Sequence, residues 1–133
     1  MSQLSPEDVA ALTAHADRDA SLILSSDWDA AASGYASDAV RMPPDAPPVH
    51  GREAIRRSFD AMPPISAFDF QMIDLRGDGE IAYMHAAWSI TVEPPGIAEP
   101  ISDSGKILIV FRKQSDGSWL RVADAWNSDG PLA

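Results

Sequence analysis

The sequence predicts an α+β fold in which two or three helices pack on one side of a single antiparallel sheet. In the first half of the chain, apolar residues recur at helical spacing, as in the series from Val9 to Leu24. From Phe68 onwards, apolar and polar residues alternate, which is the period of a strand with one buried face. Turn residues separate the alternating runs, and this order predicts a meander covered by helices.

Capping and helix-breaking residues indicate where three helices begin and end. Serine caps a helix well and proline is tolerated at its first position, so the first helix is expected to begin at Ser5-Pro6. Residues 25–27 end it and cap a second helix, whose apolar stripe spans residues 28–35 at i, i+3, i+4 and i+7. Residues 43–48 contain four prolines, which exclude a helix and a central strand, and a third helix is expected over residues 51–61.

The strands are expected to be one short extended segment and the four strands of the meander. A change of phase between Met72 and Ile73 indicates a bend or bulge in the first meander strand. Turns rich in glycine and aspartate separate the later strands and set their approximate ends. The expected segments are Asp38–Met42, Phe68–Leu75, Glu80–Val92, Lys106–Lys113 and Gly117–Gly130.

Length and composition indicate one domain, spanning residues 1–133, with a sizeable core. The chain carries 10 basic and 20 acidic residues, and its net charge of −10 argues against nucleic acids and anionic membranes as partners. Because it has no cysteine, disulfides and thiolate chemistry are excluded. No apolar run reaches the ~18 residues of a membrane span, and the polar, acidic N-terminus is unlike a signal peptide, so a cytoplasmic location is expected.

The last expected strand carries a carboxylate in its apolar row. Alternation places Leu120, Val122, Asp124 and Trp126 on one face of this strand and Arg121 on the other. A tight two-residue turn would pair this strand with the preceding one so that Ile109 lies opposite Asp124. The apolar row is the better candidate to pack on the helices, so Asp124 is expected to point into a pocket.

A carboxylate among apolar side chains must be hydrogen-bonded, paired with a cation or protonated. Desolvation pushes the pKa of a buried carboxyl upward, which suits a general acid or base. The alternative is that Asp124 is a structural residue that only fixes the core. The side chains that could partner Asp124 are Trp28, Tyr35, Tyr83, His85 and Trp126; the pattern leaves open which face of the long strand His85 and Tyr83 share with it.

Other chemical motifs are missing from the sequence. The three histidines do not form an H-x-H or H-x-x-x-H pair, so no metal site is expected. There is no phosphate-binding glycine loop and no G-x-S-x-G motif. Any reaction at Asp124 is therefore expected to proceed without a cofactor.

Two segments resemble the NTF2-like superfamily, and within it the SnoaL-like and DUF4440-type proteins related to ketosteroid isomerase. They are "YASDAVRMPPDAPPVHGREAIRRSF", from Tyr35 to Phe59, and "GKILIVFRKQSDGSWLRVADAWNSDGP", from Gly105 to Pro131. The resemblance implies a cystatin-like cone, in which a curved antiparallel sheet wraps around helices and encloses an apolar cavity. It also implies a homodimer formed through the outer face of the sheet.

The resemblance does not fix the activity, because the superfamily includes isomerases, epoxide hydrolases, cyclases, dehydratases and proteins without a known reaction. Counting from Asp38 puts Pro43 or Met42 where ketosteroid isomerase has its base. Asp19 and Ile109 fall near the positions of that enzyme's oxyanion-hole tyrosine and protonated acid. None of these residues matches, so steroid-isomerase chemistry is not expected. The polyketide cyclases place an aspartate on a late strand, to which Asp124 could correspond.

The sequence therefore predicts a protein that binds a small, largely apolar ligand. As an enzyme it would isomerise, cyclise or hydrate its substrate, with Asp124 moving the proton and His85 or Tyr83 orienting it or stabilising an enolate. The alternative is a non-catalytic binding module or dimeric assembly module. The expected wall of the cavity is formed by Trp28, Tyr35, Met42, Phe59, Tyr83, Ile109 and Trp126.

Overall fold

The computed structural model describes residues 3–130, and in it helices pack against a curved, open sheet of six strands. The expected single domain over 1–133 thus includes residues 1–2 and 131–133, which lie outside the described residues. Within residues 3–130, no helix is both long and apolar enough to cross a membrane. The helices are α1 (Pro6–Leu24), α2 (Trp28–Ala32) and α3 (Arg52–Ser58), and a 3-10 turn at Phe59–Ala61 follows α3.

The sheet contains the predicted meander and two further strands. The strands are β1 (Tyr35–Met42), β2 (Val49–His50), β3 (Ile65–Gly77), β4 (Ile81–Val92), β5 (Ile101–Lys113) and β6 (Trp119–Ser128). Their spatial order is β2-β1-β6-β5-β4-β3. Strands β3 to β6 are antiparallel neighbours, as predicted, whereas β1 lies parallel to β6. The predicted bulge in β3 is confirmed, because the pairing with β4 shifts between Met72 and Asp74.

The start of α1 is confirmed, while α2 is shorter than predicted. The side chain of Ser5 caps α1 by accepting a hydrogen bond of 3.0 Å from the backbone N–H of Asp8. Helix α2 ends at Ala32, and Tyr35 is the first residue of β1 rather than part of a helical stripe. This change matters because the parallel pairing places Tyr35 directly beside Arg121 of β6.

Two differences from the predicted hairpin between β5 and β6 cancel each other. The loop has three residues between Gln114 and Ser118 instead of two, which pairs Phe111 with Arg121. One extra residue, Val122, then bulges from β6, and the next pairing is Val110 with Ala123. Beyond the bulge the predicted pairing of Ile109 with Asp124 is restored.

The bulge also changes which side chains of β6 point inward. In a regular strand Arg121 and Asp124 would lie on opposite faces, but the extra residue between them brings both to the inner face. Arg121 is 4% exposed and Asp124 is 2% exposed. The prediction that Arg121 lies on the outer face is therefore wrong.

The core forms two clusters that hold the sheet and helices together. One lies between α1 and the middle of the meander and contains Leu12, Met84, Ile109 and Phe111, all fully buried. The other joins α2 and α3 to β1; its members include Tyr35, Ile55 and Phe59.

Candidate functional site

A cavity of about 270 Å³ opens between the helices and the inner face of the sheet. Its wall is mostly aromatic and aliphatic, and its polar groups belong to five charged residues, one tyrosine and three tryptophans. The lining residues are Asp19, Ala20, Ile23, Trp28, Ala31, Tyr35, Arg41, Phe59, Met62, Phe68, Phe70, Trp88, Ile90, Asp103, Ile107, Arg121, Asp124 and Trp126.

Asp124 belongs to a buried polar network at this cavity. Its Oδ2 accepts a hydrogen bond of 2.5 Å from the Tyr35 hydroxyl and another of 2.9 Å from Nη1 of Arg121. Nη2 of Arg121 donates to Oδ2 of Asp19 at 2.6 Å. One guanidinium thus joins two carboxylates inside the protein, an arrangement that tolerates burial only because every charge has a close partner.

Three elements bring this network together. Asp19 lies on the buried stripe of α1 with Leu12 and Ala16, four and three residues apart. Tyr35 begins β1 beside Arg121, whose backbone N–H donates to the carbonyl of Gly34 at 2.9 Å. The bulge in β6 is also required, because without it the Arg121 guanidinium would lie on the opposite face of the strand from Asp124.

Burial and charge shift the protonation of the groups around the network. Burial alone would lower the pKa of Arg121, but the negative charges of Asp19 and Asp124 outweigh it and raise that pKa above its ordinary value. Burial, followed by the charge of Asp124, raises the pKa of Tyr35, so the phenol keeps its proton and donates. Burial, followed by the charge of Arg121, lowers the pKa of the nearby His15 imidazole.

Several polar atoms at the cavity have no hydrogen-bond partner. Among residues 3–130, five buried side-chain nitrogen or oxygen atoms lack one, and four of the five belong to cavity-lining residues. Buried polar groups are normally satisfied by protein, water or ligand, because leaving one unpaired costs about 1–3 kcal/mol. The four atoms are Asp124 Oδ1, Arg121 Nε, Arg41 Nε and Trp88 Nε1.

A glycine gives the Trp88 indole its place against the sheet. Trp88 on β4 pairs with Gly105 on β5, which has no side chain. A Cβ atom at Gly105 would lie 2.6 Å from the Trp88 ring and 2.0 Å from the carbonyl oxygen of Asn127. Glycine therefore allows the ring to lie close to the neighbouring strand.

The structure places some of the predicted site residues at the cavity and others away from it. Asp124, Trp28, Tyr35, Phe59 and Trp126 line it. Three of the predicted wall residues, Met42, Tyr83 and Ile109, do not line it. Ile109, the cross-strand neighbour of Asp124, is fully buried in the core, and Met42 at the end of β1 is 37% exposed.

The structure does not bring Tyr83 and His85 to Asp124, which corrects the catalytic partners expected from the sequence. Both are exposed on the outer face of the sheet, Tyr83 to 40%. Side chains alternate along β4, and the buried residues Met84 and Ala86 occupy the inner face between them. Of the candidate partners left open by the sequence, Tyr35 is the one that bonds to Asp124.

Sequence reasoning missed Asp19, Arg121, Arg41 and Trp88. For Asp19 a signal exists, because it continues the apolar stripe of α1 at helical spacing, as a core-facing residue does. For Arg121 the signal is hidden by the bulge, which reverses the alternation within β6.

Comparison with solved structures shows that the chain shares its fold with proteins described as NTF2-like and cystatin-like. A ketosteroid isomerase-like protein from Erwinia carotovora atroseptica superposes with a TM-score of 0.86 at 18% identity, covering 96% of this chain and 100% of that one. An NTF2-like protein with a cystatin-like fold from Novosphingobium aromaticivorans superposes with a TM-score of 0.72 at 16% identity, and the match covers 96% of this chain and 85% of that one.

The chain belongs to the SnoaL-like domain family, whose model matches residues 16–124. A protein from Catenulispora acidiphila, in complex with S-DNPA, is also similar, with a TM-score of 0.75, 19% identity and coverage of 91% of this chain and 92% of that one. The search of curated proteins found no significant match. Likeness at these identities establishes the shared fold.

Proposed function

We propose that this protein binds a small, largely apolar molecule in the cavity and that Asp124 transfers a proton within it. The observation that carries the proposal is a buried carboxylate, with one oxygen unpartnered in residues 3–130, at the wall of an aromatic cavity. Membership of the SnoaL-like family supports it at the level of fold.

The size and wall of the cavity favour a ligand of one or two rings. Ligand sites usually measure roughly 300–1,000 Å³, and about 270 Å³ lies just below that range. Trp28 and Phe59 stack with ring centroids 5.0 Å apart and offer a flat apolar surface. A small aromatic or alicyclic molecule fits this surface better than a sugar or a phosphate ester.

The hydrogen bonds of Asp124 leave one oxygen for chemistry. Tyr35 and Arg121 both donate to Oδ2, which fixes the orientation of the carboxyl group and leaves Oδ1 to accept a proton. In an isomerisation, Oδ1 would remove a proton from the carbon next to a carbonyl, the electron pair would move into the enolate, and the same proton would return to another carbon. Oxidation state and net charge are unchanged, so no cofactor is required.

Ligand binding can be tested by filling the cavity. Ala20 is a small cavity-lining residue on α1, and Ala20→Phe would place a ring in the space. Ala14→Phe, on the exposed side of the same helix, is the matched control. With β-naphthamide as a neutral two-ring probe in ligand-observed NMR, we expect binding to the wild type and to Ala14→Phe, and at least tenfold weaker binding to Ala20→Phe. Equal binding of β-naphthamide to all three proteins would contradict the proposal that the ligand binds in this cavity.

Proton transfer can be tested with a ketone of similar size. In heavy water, an active Asp124 would exchange the acidic C–H hydrogens of β-tetralone for deuterium, which NMR measures directly. We expect Asp124→Asn to lose roughly a hundredfold or more of this exchange while still binding β-naphthamide. Asp69→Asn, an exposed change of the same kind on β3, should exchange at the wild-type rate. Unchanged exchange in a folded Asp124→Asn protein removes Asp124 from the reaction.

A binding function without chemistry is the second candidate. It is favoured by the hydrogen bonds that Asp124 already makes to Tyr35 and Arg121, which would suit a residue that only fixes the core. This function predicts that the wild type binds β-naphthamide but exchanges β-tetralone no faster than buffer does.

The outer face of the sheet supports a homodimer as part of the proposal. Leu108 and Tyr83 are large and exposed there, at 48% and 40%. Towards β5 and β6 their cross-strand partners are His85, Val110 and Ala125. Towards β3, Tyr83 lies beside Arg76, whose charge is paired with Asp74. A second copy of the chain is the expected partner for this surface.

A further inference from the structure

A second cationic side chain lies at the cavity, and it differs from Arg121 in its partners. Arg41 is half-buried on β1 and lines the cavity. Its guanidinium carbon lies 4.3 Å from the centroid of the Trp126 ring and 4.7 Å from that of Phe59, both of which also line the cavity. Two aromatic rings therefore hold this cation in place through cation–π contacts.

The Arg41 guanidinium is almost free of protein hydrogen bonds. It has five N–H donors, but in residues 3–130 its single bond is a long one of 3.4 Å from Nη1 to Ser58 Oγ. Its Nε is buried without a partner, and no carboxylate of the described residues lies within ion-pairing distance. Arg121, by contrast, is bonded to two carboxylates.

The unpartnered atoms of the cavity are mostly donors. Three of the four are nitrogen donors, on Arg41, Arg121 and Trp88, and only Asp124 Oδ1 is an oxygen that could accept. A ligand that satisfies these atoms must carry more acceptors than donors. A carboxylate oxygen meets this requirement, since it accepts several hydrogen bonds and matches the planar guanidinium.

The charges around the cavity indicate which of its two cationic side chains, Arg41 or Arg121, is available to bind a ligand. Asp19 and Asp124 both pair with Arg121, so its positive charge is more than compensated. Asp103 is exposed and already accepts from the Ser128 hydroxyl at 2.6 Å. In a protein with a net charge of −10, an unpaired cation between two rings is a specific feature rather than part of a general positive field.

From this geometry we infer that Arg41 binds an anionic oxygen of the ligand, so that the molecule in the cavity is a small apolar carboxylate. The inference rests on the proposed function, because it names the chemical class of the ligand for the same cavity. The apolar part of the molecule would contact the aromatic wall, and its carboxylate would accept from the Arg41 guanidinium. The indole N–H of Trp88 is a further donor on the same wall.

Two probes of the same shape separate charge recognition from apolar binding. β-Naphthoate carries a carboxylate and β-naphthamide a neutral amide on the same ring system. Dissociation constants for both would be measured by NMR titration at neutral pH, with wild type, Arg41→Met, Arg41→Lys and Arg57→Met. Methionine keeps the length and packing of the side chain without its charge, and Arg57→Met makes the same change of net charge at an exposed position on α3.

We expect the wild type to prefer β-naphthoate over β-naphthamide. Arg41→Met should weaken β-naphthoate binding roughly tenfold or more and change β-naphthamide binding less than about twofold. Arg41→Lys should retain part of the preference, and Arg57→Met all of it. Binding of β-naphthamide to Arg41→Met also shows that the variant is folded.

The outcomes distinguish this inference from the function on which it rests. If the wild type binds both probes and Arg41→Met leaves the affinity for β-naphthoate unchanged, the role of Arg41 is wrong and the cavity proposal stands. A wild-type preference for the amide also contradicts the inference alone. If the wild type binds neither probe, the proposed cavity function fails and the inference fails with it.

Discussion

Replacing Arg121 by methionine removes the only group that connects the two buried carboxylates of the described network. Methionine fills similar space, so the change mainly deletes the positive charge. Asp19 and Asp124, with side chains 9% and 1% exposed, then lose partners at 2.6 and 2.9 Å. Removing one partner of a buried ion pair typically costs 3–5 kcal/mol, and here two carboxylates are left at once. We therefore expect Arg121→Met to lower the free energy of unfolding by about 3–5 kcal/mol.

The assay is urea unfolding at pH 7 followed by tryptophan fluorescence, with thermal unfolding as a second measurement. Arg112→Met is the matched control, because Arg112 pairs at 3.3 Å with an exposed aspartate and is itself 43% exposed. Such a surface pair contributes about 0–1 kcal/mol. Adding Asp19→Asn to Arg121→Met should restore at least about 1 kcal/mol of the free energy of unfolding, because the second substitution removes one unpaired buried charge.

The reasoning is refuted if Arg121→Met is no more destabilising than Arg112→Met. Such a result would mean that Asp19 and Asp124 find other partners or water when the guanidinium is removed. An additive effect of the double variant would likewise contradict the coupling between Arg121 and Asp19.

Three further predictions concern single positions. Tyr35→Phe removes the donor to Asp124 and should lower the free energy of unfolding by about 1–2 kcal/mol in urea; an unchanged midpoint contradicts this. Because burial lowers the pKa of His15, the unfolded state binds more protons as the pH falls through about 6.5, so the wild type should lose stability on acidification from pH 7. His15→Gln should reduce that loss in urea midpoints measured against pH, and an identical pH profile would refute it. Leu108→Asp should convert a dimer to a monomer in sedimentation velocity, whereas Ile97→Asp in the exposed loop after β4 should not; equal sedimentation of both variants excludes the outer-face dimer.

Local patterns in the sequence predict much of this fold. The cap at Ser5 and the bulge after Met72 follow from residue types and alternation, which depend on neighbouring residues. The predicted pairing of Ile109 with Asp124 is also observed, but only because the longer loop and the bulge at Val122 compensate each other. The parallel pairing of β1 with β6 joins segments about 85 residues apart, for which alternation carries no signal. The sequence therefore predicted part of β1, as the extended segment Asp38–Met42, but not its position beside β6, which brings Tyr35 and Arg41 to the cavity.

In the candidate site, too, local sequence patterns predict some features, while others depend on how distant strands pair. Asp124 could be predicted because a carboxylate in an apolar row is unusual wherever the strand lies. Tyr35 was one of several candidate partners, but the sequence could not select it, because the choice depends on the pairing of β1 with β6 and on the face of β4 that turns inward. The second partner, Arg121, depends on the bulge at Val122. A one-residue change of register exchanges the two faces of β6, which explains why Arg121 was not expected at the site. Tyr83 and His85 remained candidates because alternation alone does not say which face of β4 turns inward.

The central claim is that the Asp124 carboxyl forms part of the wall against which a small apolar molecule binds. Its side-chain carboxyl carbon gives a carbon-13 resonance that can be assigned by its loss in Asp124→Asn. We predict that this resonance shifts when β-naphthamide is added to the wild type, and that it stays in place when the probe is added to Ala20→Phe. A resonance that does not move while the probe binds would contradict the claim.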